Sequence, residues 1–308
     1  LADFGYAGEI LKVDLSDGEI TRLPTSDYAE RFLGGRGIAA RLYWDMVPPQ
    51  TGALDPENCF ICASGPAAGF TRLAGFRWKI FGKSPAGEPE AFSHANLGDS
   101  WGIKLKYAGY DALVVRGKAE KLVYIHDGTT EIKDASHLWG RSAFDAGDSL
   151  KAELGREVSV LSIGPAAENM VTFATVLADG GASGSGGLGS VMGSKMLKAV
   201  AVAGGRRPTA AHPGRLSTLA DRFFRLAKGN EPLQYLRFNR ECIVLGRDGE
   251  AASRQGTVVE RAEFEEMKDE YYALRGWDIE SGLQTRAGLE KLGLKDIADD
   301  LESRGLLK

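Results

Sequence analysis

Apolar and polar positions alternate near the start of the chain. Glu9-Ile-Leu-Lys-Val-Asp-Leu15 runs at period two, Ser16-Asp-Gly18 supplies a turn, and Glu19-Ile-Thr-Arg-Leu23 returns, which predicts a β-hairpin. Residues 27–44 read as a helix interrupted at Gly34-Gly-Arg-Gly37 and stopped by Pro48-Pro49. Short apolar or β-branched runs predict strands over 58–64, 76–81, 112–116, 122–126, 158–163, 171–177 and 199–202, with helices over 142–154 and 189–197. Gly204 to Pro213, broken by two prolines and two glycines, reads as a linker. Beyond it the period becomes helical: from Leu216 onward, over 263–275 with Gly276 as a left-handed cap, over 286–292 capped by Thr285, and over 294–303 before Gly305. The expected fold class is therefore α+β, a β-rich first part followed by a small helical C-terminal region.

Composition narrows the function classes. Among 308 residues, 43% are apolar and 26% charged, so the chain is globular rather than disordered. A net charge of −4 offers no basic footprint for nucleic acid. No apolar run reaches the roughly 18 residues of a membrane helix, so no span is expected, and no export signal is expected either. Three cysteines do not make a disulfide framework, which points to the reducing cytoplasm. The unusual count is 40 glycines, nearly twice the background of about 7%, and these must serve turns, tight packing or close approach to a ligand.

The densest glycine cluster is Asp179-Gly-Gly-Ala-Ser-Gly-Ser-Gly-Gly-Leu-Gly189, with a formal GxGxxG at Gly184, Gly186 and Gly189 between a strand and a helix. Helix N-terminal amides there suit a phosphate. A dinucleotide site wants an acid about 20 residues on, where this chain offers Arg206 and Arg207. A phosphate-bearing ligand is the favoured reading, with a structural turn and a dinucleotide as alternatives. Cys59 and Cys62 fall on a strand three residues apart, hence on opposite faces, and read as buried structural thiols. His94, His126, His137 and His212 show no metal-ligand spacing; only His94, beside the glycines of 98–102, falls near a candidate site, and His126 reads as structural. Arg77, alone within Phe76-Arg-Trp-Lys-Ile-Phe81, either faces an anion or is an edge residue in water.

Several motifs then resemble one family. Gly5-Tyr-Ala-Gly-Glu-Ile-Leu-Lys-Val-Asp-Leu-Ser-Asp-Gly18, Phe32-Leu-Gly-Gly-Arg-Gly37, Ser64-Gly-Pro66, Lys83-Ser-Pro85, Leu105-Lys-Tyr-Ala-Gly-Tyr-Asp111, Asp134-Ala-Ser-His-Leu-Trp-Gly140, Ser162-Ile-Gly-Pro-Ala-Ala-Glu-Asn169 and Gly187-Leu-Gly-Ser-Val-Met-Gly-Ser-Lys195 occur in the order found in the tungsten-dependent aldehyde:ferredoxin oxidoreductases. They span residues 4–205, and Asp269-Glu-Tyr-Tyr-Ala-Leu-Arg-Gly-Trp277 is similar to the family's C-terminus. The resemblance implies a double-sheet, pterin-cradling N-terminal domain over 1–207 and a helical region over 208–308. It implies a tungsten (or molybdenum) bis-pyranopterin with Mg²⁺. By motif position, Arg77 resembles a pterin-contacting arginine, and Asn96 and Ser183 resemble the Mg²⁺ carbonyl donors. The full candidate set is Arg77, His94, Ala95, Asn96, Gly98, Ala182, Ser183, Gly184, Gly186 and Gly187.

The chain also departs from that pattern. Ala182 and Ser185 stand where the family carries arginines, and Asp99 puts a carboxylate where phosphates are expected. The family's central helical domains, with their cysteine motif, have no counterpart here, so no iron–sulfur cluster is expected in this chain. The implied function is a subunit or short form of a tungsten or molybdenum oxidoreductase acting on aldehydes or carboxylic acids with ferredoxin-like electron transfer. A larger catalytic or iron–sulfur subunit would be its partner, with a homo-oligomer as a further assembly. The alternative is a non-catalytic scaffold that has lost its cofactor.

Overall fold

A computed structural model describes residues 4–70, 75, 77–229 and 261–307. The chain divides into two compact units, Leu1–Ala227 and Lys228–Lys308. The first is built on two six-stranded mixed sheets, as an α+β fold requires. One sheet holds β1 (Glu9–Asp14), β2 (Ile20–Pro24), β3 (Phe60–Ser64), β4 (Trp78–Ser84), β5 (Ala91–Leu97) and β6 (Tyr110–Arg116), in the order β2-β1-β6-β3-β4-β5. The other holds β7 (Lys121–His126), β8 (Thr129–Asp134), β9 (Ser159–Ser162), β10 (Val176–Ala178), β11 (Ser183–Gly184) and β12 (Leu197–Ala203), in the order β11-β10-β9-β12-β7-β8. The β1–β6 and β7–β12 pairs are parallel.

The main core lies between the sheets. Leu11, Val13, Phe60, Cys62, Trp78, Ile80 and Val115 meet Val123, Ile125, Leu161, Val200 and Val202 there. Successive side chains on a strand point to opposite faces, so Ile10, Cys59, Ile61, Phe81 and Val114 face outward. They are covered by Ile38, Ala39 and Leu42 of α2 (Arg36–Met46), which follows α1 (Ser26–Phe32). On the far side, Leu122, Val160 and Ala199 lie under Leu150 of α4 (Ala143–Leu154). The short helices α3 (Trp101–Tyr107) and α6 (Leu188–Ser194) send Trp101, Leu105, Leu188 and Val191 into the inter-sheet core, and α5 (Pro165–Glu168) precedes β10. Double-sided burial explains why central strands such as β6 read as continuous apolar runs.

Three expectations need correction. Residues 171–175 turn instead of pairing, and Gly189 N donates to Ala174 O at 3.0 Å, so the segment closes on the start of α6 and only Val176–Ala178 is strand. The segment from Gly204 is not a free linker: Arg206 N donates to Tyr107 O and Gly5 N donates to Thr209 O. Edge strands β5 and β8 and helix α3 go beyond the elements the pattern predicts. Phe76, at the start of one predicted strand, lies outside the described residues, as do Cys242 and residues 230–258.

After α7 (Pro213–Gly229) come α8 (Arg261–Arg275), α9 (Arg286–Lys291) and α10 (Lys295–Ser303). Thr285 Oγ1 accepts from Gly288 N at 3.1 Å, the N-cap its position predicts. Gly276 and Gly305 take φ +69 and +66, as left-handed caps do. Among the described residues no helix is long and apolar enough to cross a membrane.

Candidate cofactor-binding site

The antiparallel register of β4 and β5 sets Lys79 opposite Asn96 and Phe81 opposite His94. Directly opposed residues share a face, so all four lie on the outer face of the first sheet while Trp78, Ile80, Ala95 and Leu97 face the core. Here the cover given by α2 runs out, and His94 and Asn96 are exposed. Arg36, the first residue of α2, reaches His94 with Nη2 to Nε2 at 3.1 Å. A guanidinium only donates, so Nε2 accepts and the ring proton lies on Nδ1. Partial burial first, then the neighbouring Arg36 and Lys79 charges, hold the His94 imidazole below its ordinary pKa. Lys79 Nζ donates to Asn96 Oδ1, and burial together with Arg36 lowers the lysine as well. Arg77 is exposed one residue before β4, and a Cβ on Gly98 would stand 3.8 Å from its Nη1. Among the described residues Arg36, Arg77 and Lys79 have no acidic partner within ion-pair distance.

Arg36 is placed by a chain of contacts that starts in the core. Gly35, at φ +50, donates from N to Ser64 O at 3.0 Å, and a Cβ on Gly34 would fall 2.9 Å from Pro66 Cδ. Only glycine permits that approach. The turn after Ser64 is held in turn by Lys106, whose Nζ donates to Gly65 O at 2.9 Å and to Gly5 O at 2.6 Å. Lys106 is fully buried 3.0 Å from Asp111, which also accepts from Ala7 N, Gly8 N and Thr25 Oγ1. Burial pulls the Lys106 pKa down, and Asp111 opposes that fall.

The glycine loop joins the edges of the two sheets. A Cβ on Gly184 would lie 2.6 Å from Ile80 Cδ1 and 3.1 Å from Leu97 Cδ1, so its absence lets β11 close against β5. Gly186 takes φ +74, and its carbonyl accepts from Ser84 Oγ at 2.6 Å. Gly187 takes φ +69, and a Cβ there would meet Thr172 O at 2.2 Å. Packing and turn geometry thus account for these three glycines. Ala182 packs against the inter-sheet core, Ser183 is exposed, and Ala95 is buried. Arg77, His94, Asn96 and Gly98 therefore gather along the β4–β5 edge, and the loop brings Ser183 and Gly184 to the adjoining edge.

Sequence reasoning missed Arg36 and Lys79. Lys79 had a signal: it follows Arg77 by two on a strand and so shares its face. Asp99 adopts φ +69, and its Oδ1 accepts from Ser100 N at 2.6 Å, while Oδ2 is buried without a hydrogen-bond partner. Cys59 and Cys62 are buried in different core clusters, as a strand position predicts; burial pushes Cys59 up to about 11 and Cys62 well above its ordinary value, which makes both inert. No group of three His, Cys, Asp or Glu side chains able to hold a metal occurs among the described residues.

Two mixed six-stranded sheets packed face to face, closed by a glycine loop where their edges meet, define the class as an α+β domain. The chain belongs to the aldehyde ferredoxin oxidoreductase family: the family's N-terminal domain matches residues 10–204, and its domains 2 and 3 match residues 214–294, which corrects the expectation that the family's later helical domains have no counterpart in this chain. The tungsten-containing aldehyde ferredoxin oxidoreductase of Pyrococcus furiosus is 44% identical over 208 residues, covering 66% of this chain and 34% of that protein. The WOR-like subunit of the aliphatic sulfonate oxidoreductase of the same organism is 34% identical over 221 residues, 65% of this chain and 35% of that one. Among solved structures, the active-site complex BamBC of benzoyl coenzyme A reductase with 1,5-dienoyl-CoA is similar, with a TM-score of 0.70 and 37% identity over 74% of this chain and 35% of that one. The chain spans about a third of the length of these relatives.

Proposed function

We propose that residues 1–207 are the pterin-cradling base of a tungsten- or molybdenum-pterin oxidoreductase, and that the chain acts as a subunit or short form of it, with residues 208–308 as a helical region that meets the rest of the assembly. One observation carries the reading: Arg36, Arg77 and Lys79, which have no acidic partner among the described residues, gather near the edge of the first sheet that adjoins the second, in a chain of the same family as tungsten-containing relatives. The donor chemistry fits a phosphorylated ligand. Arg77 beside the open backbone of Gly98, with Asn96 and the exposed Ser183 on neighbouring edges, would contact the pterin and its counter-ion. The unpartnered Asp99 Oδ2 would repel phosphates directly, but a carboxylate oxygen is a hard ligand that suits Mg²⁺ between them. When bound, the metal centre supplies the two-electron oxidation of an aldehyde or reduction of a carboxylic acid. This chain supplies position, charge and a backbone open to close approach. A larger subunit would supply the substrate pocket and the ferredoxin-like electron path.

Ala182 and Ser185, which replace cations of the family pattern, favour a second reading as a scaffold without cofactor. Elemental analysis separates the two. Tungsten or molybdenum near one per chain, with pterin released on denaturation, is the expected result. Metal confined to a co-purifying subunit supports the scaffold.

A further inference from the structure

We propose that Arg36, Lys79 and His94 form a phosphate grip on the outer face of the first sheet, which takes over the charge that the glycine loop of this chain lacks. The proposal rests on the base reading for the identity of the ligand, a phosphate ester of the cofactor, but the grip itself is a property of three side chains.

The loop cannot supply that charge. Between Asp179 and Gly189 it contains no lysine, arginine or histidine, and Ser185 is exposed where the family pattern has a cation. Its one charged side chain, Asp179, pairs with Lys151 at 2.9 Å and accepts from Val160 N. Cations appear instead on the outer face of the first sheet, Arg36 from α2 and Lys79 from β4, with the neutral imidazole of His94 from β5 beside them. Lys79 and His94 are diagonal neighbours on an antiparallel pair, a separation of roughly 7–8 Å. A tetrahedral anion with donors on both sides fills such a gap. Arg36 closes the third side through its contact with His94.

The local balance of charge supports an external anion. Arg36 opens a helix whose first turn carries no acid, so its own charge adds to the positive end of the dipole. After burial, Arg36 is what lowers the pKa of Lys79, and Arg36 and Lys79 together lower that of His94, as like charges without a compensating acid do. Arg36 spends one amino group on His94 and Lys79 one proton on Asn96, which leaves further donors for a ligand. Charge-assisted donors of this kind are the strong ones, and Arg offers a fork that matches phosphate.

The test uses the full chain produced without tungsten or molybdenum, titrated calorimetrically with inorganic pyrophosphate and with inorganic phosphate at low salt. Pyrophosphate should bind more tightly than phosphate. Arg36→Gln and Lys79→Gln should each weaken it by roughly tenfold, with unchanged folding by circular dichroism, whereas Lys118→Gln, an equal charge change on another exposed surface, should leave it alone. Equal weakening by all three glutamine variants would mean diffuse surface attraction and would overturn the grip, as would an absence of pyrophosphate binding. Metal content of chain grown with tungsten distinguishes the two levels. Tungsten and pterin retained alongside unaltered pyrophosphate affinity in the Arg36 and Lys79 variants would sink the grip and leave the base reading standing. Pyrophosphate binding that depends on the cluster, in a chain that never carries metal, would keep the grip and sink the base reading.

Discussion

The first unit holds two kinds of cation. Lys106 and Lys198 are fully buried, and each has a carboxylate of its own: Asp111 at 3.0 Å for the first, Glu168 for the second. Their remaining protons go to backbone carbonyls, Gly5 O and Gly65 O from Lys106 and Arg141 O from Lys198. Arg36 and Lys79 lie on the outer face at the sheet edge and meet a histidine and an amide instead of an acid. Burying a charge without a partner costs several kcal/mol, so a cation that serves the fold must bring its anion with it. A cation at the surface is solvated and can leave its anion to come from outside. The difference separates charges that hold the first unit together from charges that the proposed grip would offer to a ligand.

The largest expected effect breaks the first kind. Asp111→Ala strands the Lys106 ammonium in the core and frees the amides of Ala7 and Gly8, and should cost about 3–5 kcal/mol. Glu168→Gln should cost a similar amount, because Glu168 also accepts from Gly140 N at 3.0 Å. Chemical denaturation of the full chain measures both. A loss below about 1 kcal/mol in either would mean that water reaches the lysine and that the pair is not structural. Asp111→Ala carries a second readout. Lys106 holds the Gly65 turn and that turn holds Gly35, so pyrophosphate affinity should fall with stability although Asp111 lies away from the grip.

That dependence marks the limit of what the sequence alone makes legible. Strands buried on both faces, such as β3, β6 and β12, announce themselves as apolar runs, and the opposed burial of Cys59 and Cys62 follows from strand periodicity. β5 does not. Its Ser93, His94 and Asn96 read as loop, because an edge strand needs an apolar residue only on its inner face. α3 is hidden by Gly102, which is there because a Cβ would stand 2.3 Å from the Trp78 ring. Nothing local distinguishes buried Lys106 or Lys198 from any solvated lysine, since their partners are set by the fold. The candidate site was reached through family resemblance. The residues alone left Arg77 open between an anion contact and an exposed edge position, and Arg36 was out of reach because its neighbour His94 is 58 positions away.

Lys195 falls between the two kinds and sharpens the comparison through pH. It is fully buried, its Nζ donates to Pro56 O at 3.1 Å, and burial lowers its pKa to about 8. Above pH 8 the folded chain has released this proton while the unfolded chain keeps it, so stability rises with pH. Cys59 acts in the opposite sense. Its folded pKa is about 11, so from its ordinary value near 9.0 upward the unfolded chain loses the proton first and stability falls. The net rise is therefore confined to about pH 8–9 and should amount to roughly 1 kcal/mol. Denaturation midpoints across that interval should climb for the native chain and stay flat for Lys195→Met. A flat native profile would mean that Lys195 keeps its charge when folded.

The smallest effect tests the second kind of cation. Lys79 lies beside Arg36 with no acidic partner among the described residues, and both burial and that like charge disfavour its ammonium. Lys79→Gln should therefore leave stability unchanged or raise it by about 0.5 kcal/mol at most. The gain should appear at an ionic strength of roughly 0.01 M and vanish near 1 M, where the Debye length shrinks from about 30 Å to about 3 Å. Denaturation at the two salt concentrations reads this directly. A loss above about 1 kcal/mol that persists in high salt would put Lys79 with Lys106 and Lys198, as a charge the fold consumes. A lysine spent on the fold has nothing to offer a phosphate, so that outcome would remove the contrast between the two kinds of cation and the grip built on it.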